Sequence, residues 1–266
     1  MRKLLITGLL IGLSSIAAAT PATTSMFQGF YVGANATFNS LAISDKFTAN
    51  FGRSSVEPLP SGIYSNSTSH TSYSYGENLF AGYNFQLTNS FLLGVEARVL
   101  AANKVDHAEI TTAFSLPPAQ QPPSSIFLVT ARDLTIDGGA INLLVKPEFL
   151  LGAQQMIYAL FGSGYAKMHL NNNFGVEMSG VSLAIGGIHL NKTAMPFTFG
   201  LGYAQYLTTN LSWSAEISDM LYPDIKGDVA TAASPVIPQT FSYHAEATNI
   251  SMVSANLGLS YHFKGV

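Results

Sequence analysis

The sequence predicts an all-β protein, an eight-stranded antiparallel transmembrane β-barrel with four long extracellular loops and three short periplasmic turns. Three observations carry that expectation. Apolar and polar residues alternate with period 2 in eight segments, which is the pattern of strands with two unlike faces. Short and long connections alternate strictly between those segments, as in a barrel whose turns lie on one side of a membrane and whose loops lie on the other. Charge within the segments, apart from the terminal Asp219, is confined to one face.

The chain begins with Arg2 and Lys3, then an apolar run from Leu4 to Ile16, then Ala17-Ala18-Ala19. This is the order of a secretory signal peptide, cleaved after small residues. The expected organisation is therefore a signal peptide over 1–19 and an outer-membrane barrel domain over 20–266. Cleavage removes two of the 12 basic residues against 15 acidic ones, leaving 10 against 15. A mildly acidic chain with 10% charged residues has no basic patch for phosphates, which excludes nucleic acid as a partner. No cysteine is present, so disulfides play no part. Mean hydropathy is +0.25, yet no charge-free run after the leader reaches the roughly 20 apolar residues of a spanning helix.

The first segment, about Gly29 to Ser40, sets Phe30, Val32, Ala34, Ala36 and Phe38 against Tyr31, Gly33, Asn35, Thr37 and Asn39. The second, Asn78 to Leu87, opposes Leu79, Ala81, Tyr83 and Phe85 to Asn78, Gly82, Asn84 and Gln86. In the third, Phe91 to Ala101, Leu93, Val95, Ala97 and Val99 oppose Gly94, Glu96 and Arg98. In the fourth, Ile141 to Leu151, Leu143, Val145 and Phe149 oppose Asn142, Lys146 and Glu148, and Pro147, which has no N–H to donate, predicts a bulge. The fifth, Ile157 to Leu170, reads with Tyr158, Leu160, Ala166 and Met168 towards lipid and Ser163, Tyr165, Lys167 and His169 inside. The sixth, Pro196 to Leu207, places Phe197, Phe199, Leu201 and Tyr203 on its apolar face. The seventh, Asn210 to Asp219, opposes Leu211, Trp213, Ala215 and Ile217 to Ser212, Ser214, Glu216 and Ser218. The eighth, Thr248 to Phe263, carries Val253, Ala255, Leu257, Leu259, Tyr261 and Phe263 on one face.

Leu87 to Ser90, Gly152 to Met156 and Leu207 to Asn210 are tight turns, while 41–77, 102–140, 171–195 and 220–247 are long connections. Gly82-Tyr83, Leu87-Thr88 and Glu96 recur 120 positions later as Gly202-Tyr203, Leu207-Thr208 and Glu216. Each unit is a hairpin with a glutamate on its outgoing strand.

Glu96, Arg98, Lys146, Glu148, Lys167 and Glu216 fall on the polar face, so the expectation is a structural charge network within a lumen just wide enough for side chains. An ion pathway is the alternative reading of the same residues. Phe30, Phe85, Phe91, Phe149, Tyr158, Trp213, Tyr261 and Phe263 form the expected aromatic girdle at the turn end.

The last strand, with Ala255, Leu257, Leu259, Tyr261 and Phe263, resembles the terminal signal by which barrel-assembly machinery recognises its clients, and departs from it by adding Lys264-Gly265-Val266. The opening Gly29 to Asn35, the Gly94-Val95-Glu96-Ala97 strand and Gly200-Leu201-Gly202-Tyr203 with its turn resemble opacity-type and OmpA-like eight-stranded barrels. That resemblance implies the cell outer membrane, with membrane lipid and the assembly machinery as partners.

The expected function is a surface protein whose loops serve adhesion or another surface interaction, with a ligand or host component as partner. A narrow pore or passive barrel is the alternative, and a lipid-modifying barrel enzyme a third reading. Proline pairs Pro117-Pro118 and Pro122-Pro123 stiffen the second loop, and Gly186-Gly187 between apolar runs predicts a hairpin turn in the third. His107-Ala108-Glu109 and His244-Ala245-Glu246 lack metal-site spacing. His70, Ser72 and Glu77 supply the residue types of a hydrolytic triad in a Ser/Thr-rich stretch where such coincidence is cheap. The sequence thus points to no cofactor, no metal and no catalysis.

Overall fold

The computed structural model describes residues 25–51, 62–100, 107–114, 126–136, 140–178, 181–230 and 241–263. The expected signal peptide and its expected cleavage site, both proline pairs and Lys264-Gly265-Val266 lie outside them. Twelve strands run in chain order: β1 (Gly29–Phe51), β2 (Gly62–Gln86), β3 (Phe91–Leu100), β4 (His107–Phe114), β5 (Ile126–Ile136), β6 (Ala140–Leu150), β7 (Gln155–Met178), β8 (Val181–Ala194), β9 (Phe197–Tyr206), β10 (Leu211–Leu221), β11 (Ile225–Ala230) and β12 (Phe241–His262).

Eight of them close a ring in the order β1-β2-β3-β6-β7-β9-β10-β12, every neighbour antiparallel, sealed by the β7–β9 and β1–β12 ladders. Closure leaves no edge within the ring, the condition for sheet in hydrocarbon. No helix among the described residues is long and apolar enough to cross a membrane. The outer wall exposes Phe30, Leu79, Val95, Leu143, Phe161, Leu201, Ile217 and Leu257 to the surroundings, the reverse of a soluble protein. Phe30, Phe85, Phe149, Tyr261 and Phe263 ring its turn end as an aromatic girdle, with Phe30 against Phe263 at 5.4 Å and Tyr261 against Phe263 at 5.1 Å.

The two repeated hairpins share their turn chemistry. Leu87 and Thr88 donate their N–H groups to Phe91 O, and Leu207 and Thr208 donate theirs to Leu211 O. In each turn a threonine hydroxyl accepts from the backbone two residues on, Ser90 N to Thr88 Oγ1 and Asn210 N to Thr208 Oγ1.

Three expectations are corrected. Strand β7 has the opposite phase: Tyr158, Leu160, Ala166, Met168 and Leu170 are buried inside, while Phe161, Ser163, Tyr165 and Lys167 are exposed. Both of its faces are apolar near the turn end, so alternation there cannot choose between them. Pro147 produces no bulge, because the β6–β7 ladder lapses at Lys146 and Pro147 and resumes in the same register, Val145 opposite Phe161 and Glu148 opposite Tyr158. Gly186-Gly187 is no turn but lies within β8, beside a register shift opposite Phe174 and Gly175. Glycine inside a strand marks such irregularities.

The stretches expected as loops are largely strand. β1 and β2 stay paired up to Phe51 and Gly62, far past the lipid-facing residues. At the loop end β4 and β5 form a hairpin against β7, β8 pairs the other edge of β7, and β11 pairs β12. The ladder changes partner at Asn249, a left-handed residue (φ 51°) where β12 shifts register against Ala42 and Ser44. Asparagine tolerates that conformation better than most side chains. Below it β12 pairs β10, and above it β11. This outer extension has its own core, with Leu41, Ile43, Met168, Leu170, Tyr222, Ile225, Ile250 and Met252 buried.

Candidate functional site

The interior is filled in three tiers. At the turn end, Ser25 to Gln28 fold beneath the barrel and insert Phe27, which is 0% exposed. Its ring packs 4.5 Å from Tyr206 and 5.7 Å from His262. Asn84 Nδ2 donates to Phe27 O at 3.1 Å, Ser25 N donates to Gln86 Oε1 at 2.8 Å, and the Tyr206 hydroxyl donates to Met26 O. Leu92, Leu144, Met156 and Leu160 complete this apolar floor.

Above it lies the charged tier. Arg98, from β3, donates through Nη1 to Glu216 Oε1 at 2.7 Å and through Nη2 to Glu216 Oε2 at 3.0 Å. The same guanidinium holds Glu96 Oε1, through Nη2 at 2.8 Å and Nε at 3.1 Å. Lys146 Nζ donates to Glu96 Oε2 at 3.1 Å, stands 3.7 Å from Glu148, and lies 4.3 Å from the centre of the Tyr158 ring. Asn256 Nδ2 donates to Glu216 Oε1 at 3.0 Å. Bidentate charge-assisted bonds of this kind fix geometry as well as energy.

The tier is built on a repeated row. On one wall the Tyr31 ring lies over Gly82 and its hydroxyl donates to Glu96 Oε2 at 3.0 Å; on the opposite wall the Tyr158 ring lies over Gly202 and donates to Glu216 Oε2 at 3.4 Å. Tyr31, Gly82 and Glu96 are successive cross-strand neighbours, as are Tyr158, Gly202 and Glu216. A Cβ on either glycine would overlap the ring, so only glycine lets the tyrosine cross its neighbour strand. The cavity left among these groups is about 20 Å³, room for about one water. The outer apolar core forms the third tier.

The structure thus brings together Glu96, Arg98, Lys146, Glu148 and Glu216, all buried. It does not bring Lys167, which points outward because β7 has the other phase. Tyr158 leaves the expected girdle for the same reason and joins the charge network. Phe27 carried no periodic signal, since it precedes the first strand. Leu257, Leu259, Tyr261 and Phe263 are exposed along the outer face of β12. A concavity of about 1010 Å³ lies on the outer wall among Phe38, Tyr75, Phe199, Ile217 and Leu257, where lipid chains would fill it.

The His70 and Ser72 pair is not assembled, because Ser72 Oγ has no hydrogen-bond partner among the described residues. His107 and Glu109 lie on β4, and His244 and Glu246 on β12, with Glu246 paired to Lys226. Among the described residues no group of three metal-ligating side chains converges.

A family model described as outer membrane protein beta-barrel domain matches residues 8–263. The chain belongs to that family. Localisation in the outer membrane follows, with lipid around the wall. No curated protein matches the sequence. Among solved structures, similarity extends to Ail, the attachment invasion locus protein of Yersinia pestis, in complex with the heparin analogue sucrose octasulfate, at 13% identity over 87% of this chain and 99% of that one, TM-score 0.34. Neisserial surface protein A is 14% identical over 89% and 98%, TM-score 0.33. The outer membrane protease OmpT of Escherichia coli is 10% identical over 92% and 100%, TM-score 0.36.

Proposed function

We propose that this outer-membrane barrel is a surface interaction protein whose outer strand extension is the working part and whose barrel is a closed anchor. The observation that carries the reading is the sealed interior. Phe27 stops one end, a fully buried ion network crosses the middle, and an apolar core fills the other end. A permeating ion would have to break bidentate bonds and then cross a dry layer, which argues against a pore. We further propose that the alternate residues of β12 from Leu257 to Phe263 are read by the assembly machinery, and that residues 1–19 are removed on export.

Two measurements test the reading together. In planar bilayers the purified protein should pass no steady current. Replacing 107–136 with a tight turn should leave a folded barrel, since loop length costs only logarithmically, while attachment of cells to epithelial monolayers or glass falls. Ion-selective conductance that changes with Glu96 or Lys146 would make the protein a channel instead.

A further inference from the structure

Glu77 reads from the sequence as the end of a long connection, yet it lies within β2 and faces outward, on the same side as the lipid-facing Leu79. At ~3.3 Å per residue and a ~40° tilt it stands about 20 Å above Phe85 of the girdle, inside the ~25 Å apolar band of an outer-membrane barrel. An ionisable side chain at such a position is costly and marks a site with a partner. Its surroundings on that face are apolar or aromatic. Leu79 lies below it on the same strand, Ala36 directly opposite on β1, and Tyr75 above it, 83% exposed. Phe38, diagonal to Glu77, packs 5.4 Å from Tyr75 and 5.8 Å from Tyr73, so three rings crown the carboxylate.

Below the acid the wall is hollow. One concavity of about 710 Å³ runs from Glu77 past Ala34, Leu79 and Leu257 to Trp213. The concavity of about 1010 Å³ described above adjoins it, and the two share Ala36 and Leu257. Small residues make the floor of this double trough, and larger neighbours stand up as its sides, Leu79 and Leu257 being 67% and 66% exposed.

Charge and shape together name the occupant. The trough suits flexible acyl chains, which the membrane supplies, and the acid at its rim selects a head of opposite charge. Within the apolar band a carboxylate needs N–H donors as well as charge, which a primary ammonium offers and a quaternary one does not. Ring faces beside it add attraction for the same cation. We infer that Glu77, with Tyr73, Tyr75 and Phe38, binds the headgroup of a membrane lipid bearing a primary ammonium, of the phosphatidylethanolamine type, whose chains lie in the trough. The site belongs to the anchor, so it stands or falls apart from the role of the outer extension.

Trp213 lines the trough and is the one tryptophan of the chain, so its fluorescence reports which lipid lies there. The test places the full chain in phosphatidylglycerol vesicles containing a minor fraction of lipid with brominated chains, which quench tryptophan on contact, under either an ethanolamine or a choline head. Brominated phosphatidylethanolamine should quench Trp213 with an apparent affinity about fivefold above that of brominated phosphatidylcholine, the factor one interfacial ion pair supplies. Glu77→Gln should bring the two lipids level. Asp219→Asn, which removes another carboxylate from the outer wall, should leave the preference intact. Heat-dependent gel mobility shows that each variant is folded. Equal quenching by the two lipids in the wild type, a preference that survives Glu77→Gln, or one lost equally in Asp219→Asn would overturn the proposal.

Discussion

Arg98 on β3 and Glu216 on β10 stand four strands apart whichever way the ring is followed, and the guanidinium spans the barrel to grip both carboxylate oxygens, at 2.7 and 3.0 Å. Removing the arginine leaves Glu216 and Glu96 buried with less compensation. Arg98→Met should lower stability by about 3 to 5 kcal/mol, the usual cost of stranding a buried ion. Adding Glu216→Gln to it should recover part of the loss. Urea midpoints in detergent, followed by gel mobility, measure both.

The two carboxylates nearest Lys146 are not equivalent. Glu96 also bonds Arg98 and Tyr31, whereas neither oxygen of Glu148 has a hydrogen-bond partner and Lys146 stands 3.7 Å away. Glu148→Gln should therefore cost less than about 1 kcal/mol or stabilise the barrel, since it removes a poorly compensated buried charge. Glu96→Gln should cost several times more in the same assay.

Phe27 belongs to no strand yet is fully buried. Phe27→Ala should destabilise by about 3 to 5 kcal/mol through the cavity it leaves. It should not open a pore, because the charged and outer apolar tiers stay in place. Bilayer currents after this substitution check the point.

In the extension, Lys226 and Glu246 face each other on the β11–β12 ladder, and the hydrogen bond from the ammonium holds the Glu246 carboxyl below its usual range. A lowered acid pKa contributes stability that is present at neutral pH and fades as pH falls through the lowered value. The protection of β11 amides, measured relative to the intrinsic exchange rate at each pH, should therefore fall on acidification below the ordinary carboxylate range. Glu246→Gln should remove that acid-dependent change and leave β11 exchanging faster at neutral pH.

How much the sequence disclosed depended on whether the two faces of a strand differed. β3 and β6 were legible because Glu96, Arg98, Lys146 and Glu148 cannot face lipid, and alternation then fixes every neighbour. β7 was not, because Ile157 and Phe161 on one face look like Tyr158 and Leu160 on the other. The repeat would have resolved it: Gly202 echoes Gly82, and each glycine carries a tyrosine from the adjoining strand. The outer extension was illegible for another reason. Once a strand rises above lipid, Ser, Thr and Asn occupy both faces, and residues 62–77 lose their period even though the backbone pairing continues. Leu41, Ile43, Met220 and Tyr222 then pack into a core from stretches whose pattern showed none.

The doubled Tyr-Gly-Glu row carries one asymmetry. The position matching Arg98 in the second half is Ser218, buried and 3.4 Å from Asn256, so a single guanidinium serves both glutamates. Two halves of one design would need only one such clamp, and it need not matter which half supplies it. The cation is then a transferable part: Arg98→Ser combined with Ser218→Arg, moving the group to the far wall, should regain most of the stability lost by Arg98→Ser alone. A barrel in which the exchanged variant is no better than the single one would mean that the halves have diverged past interchange.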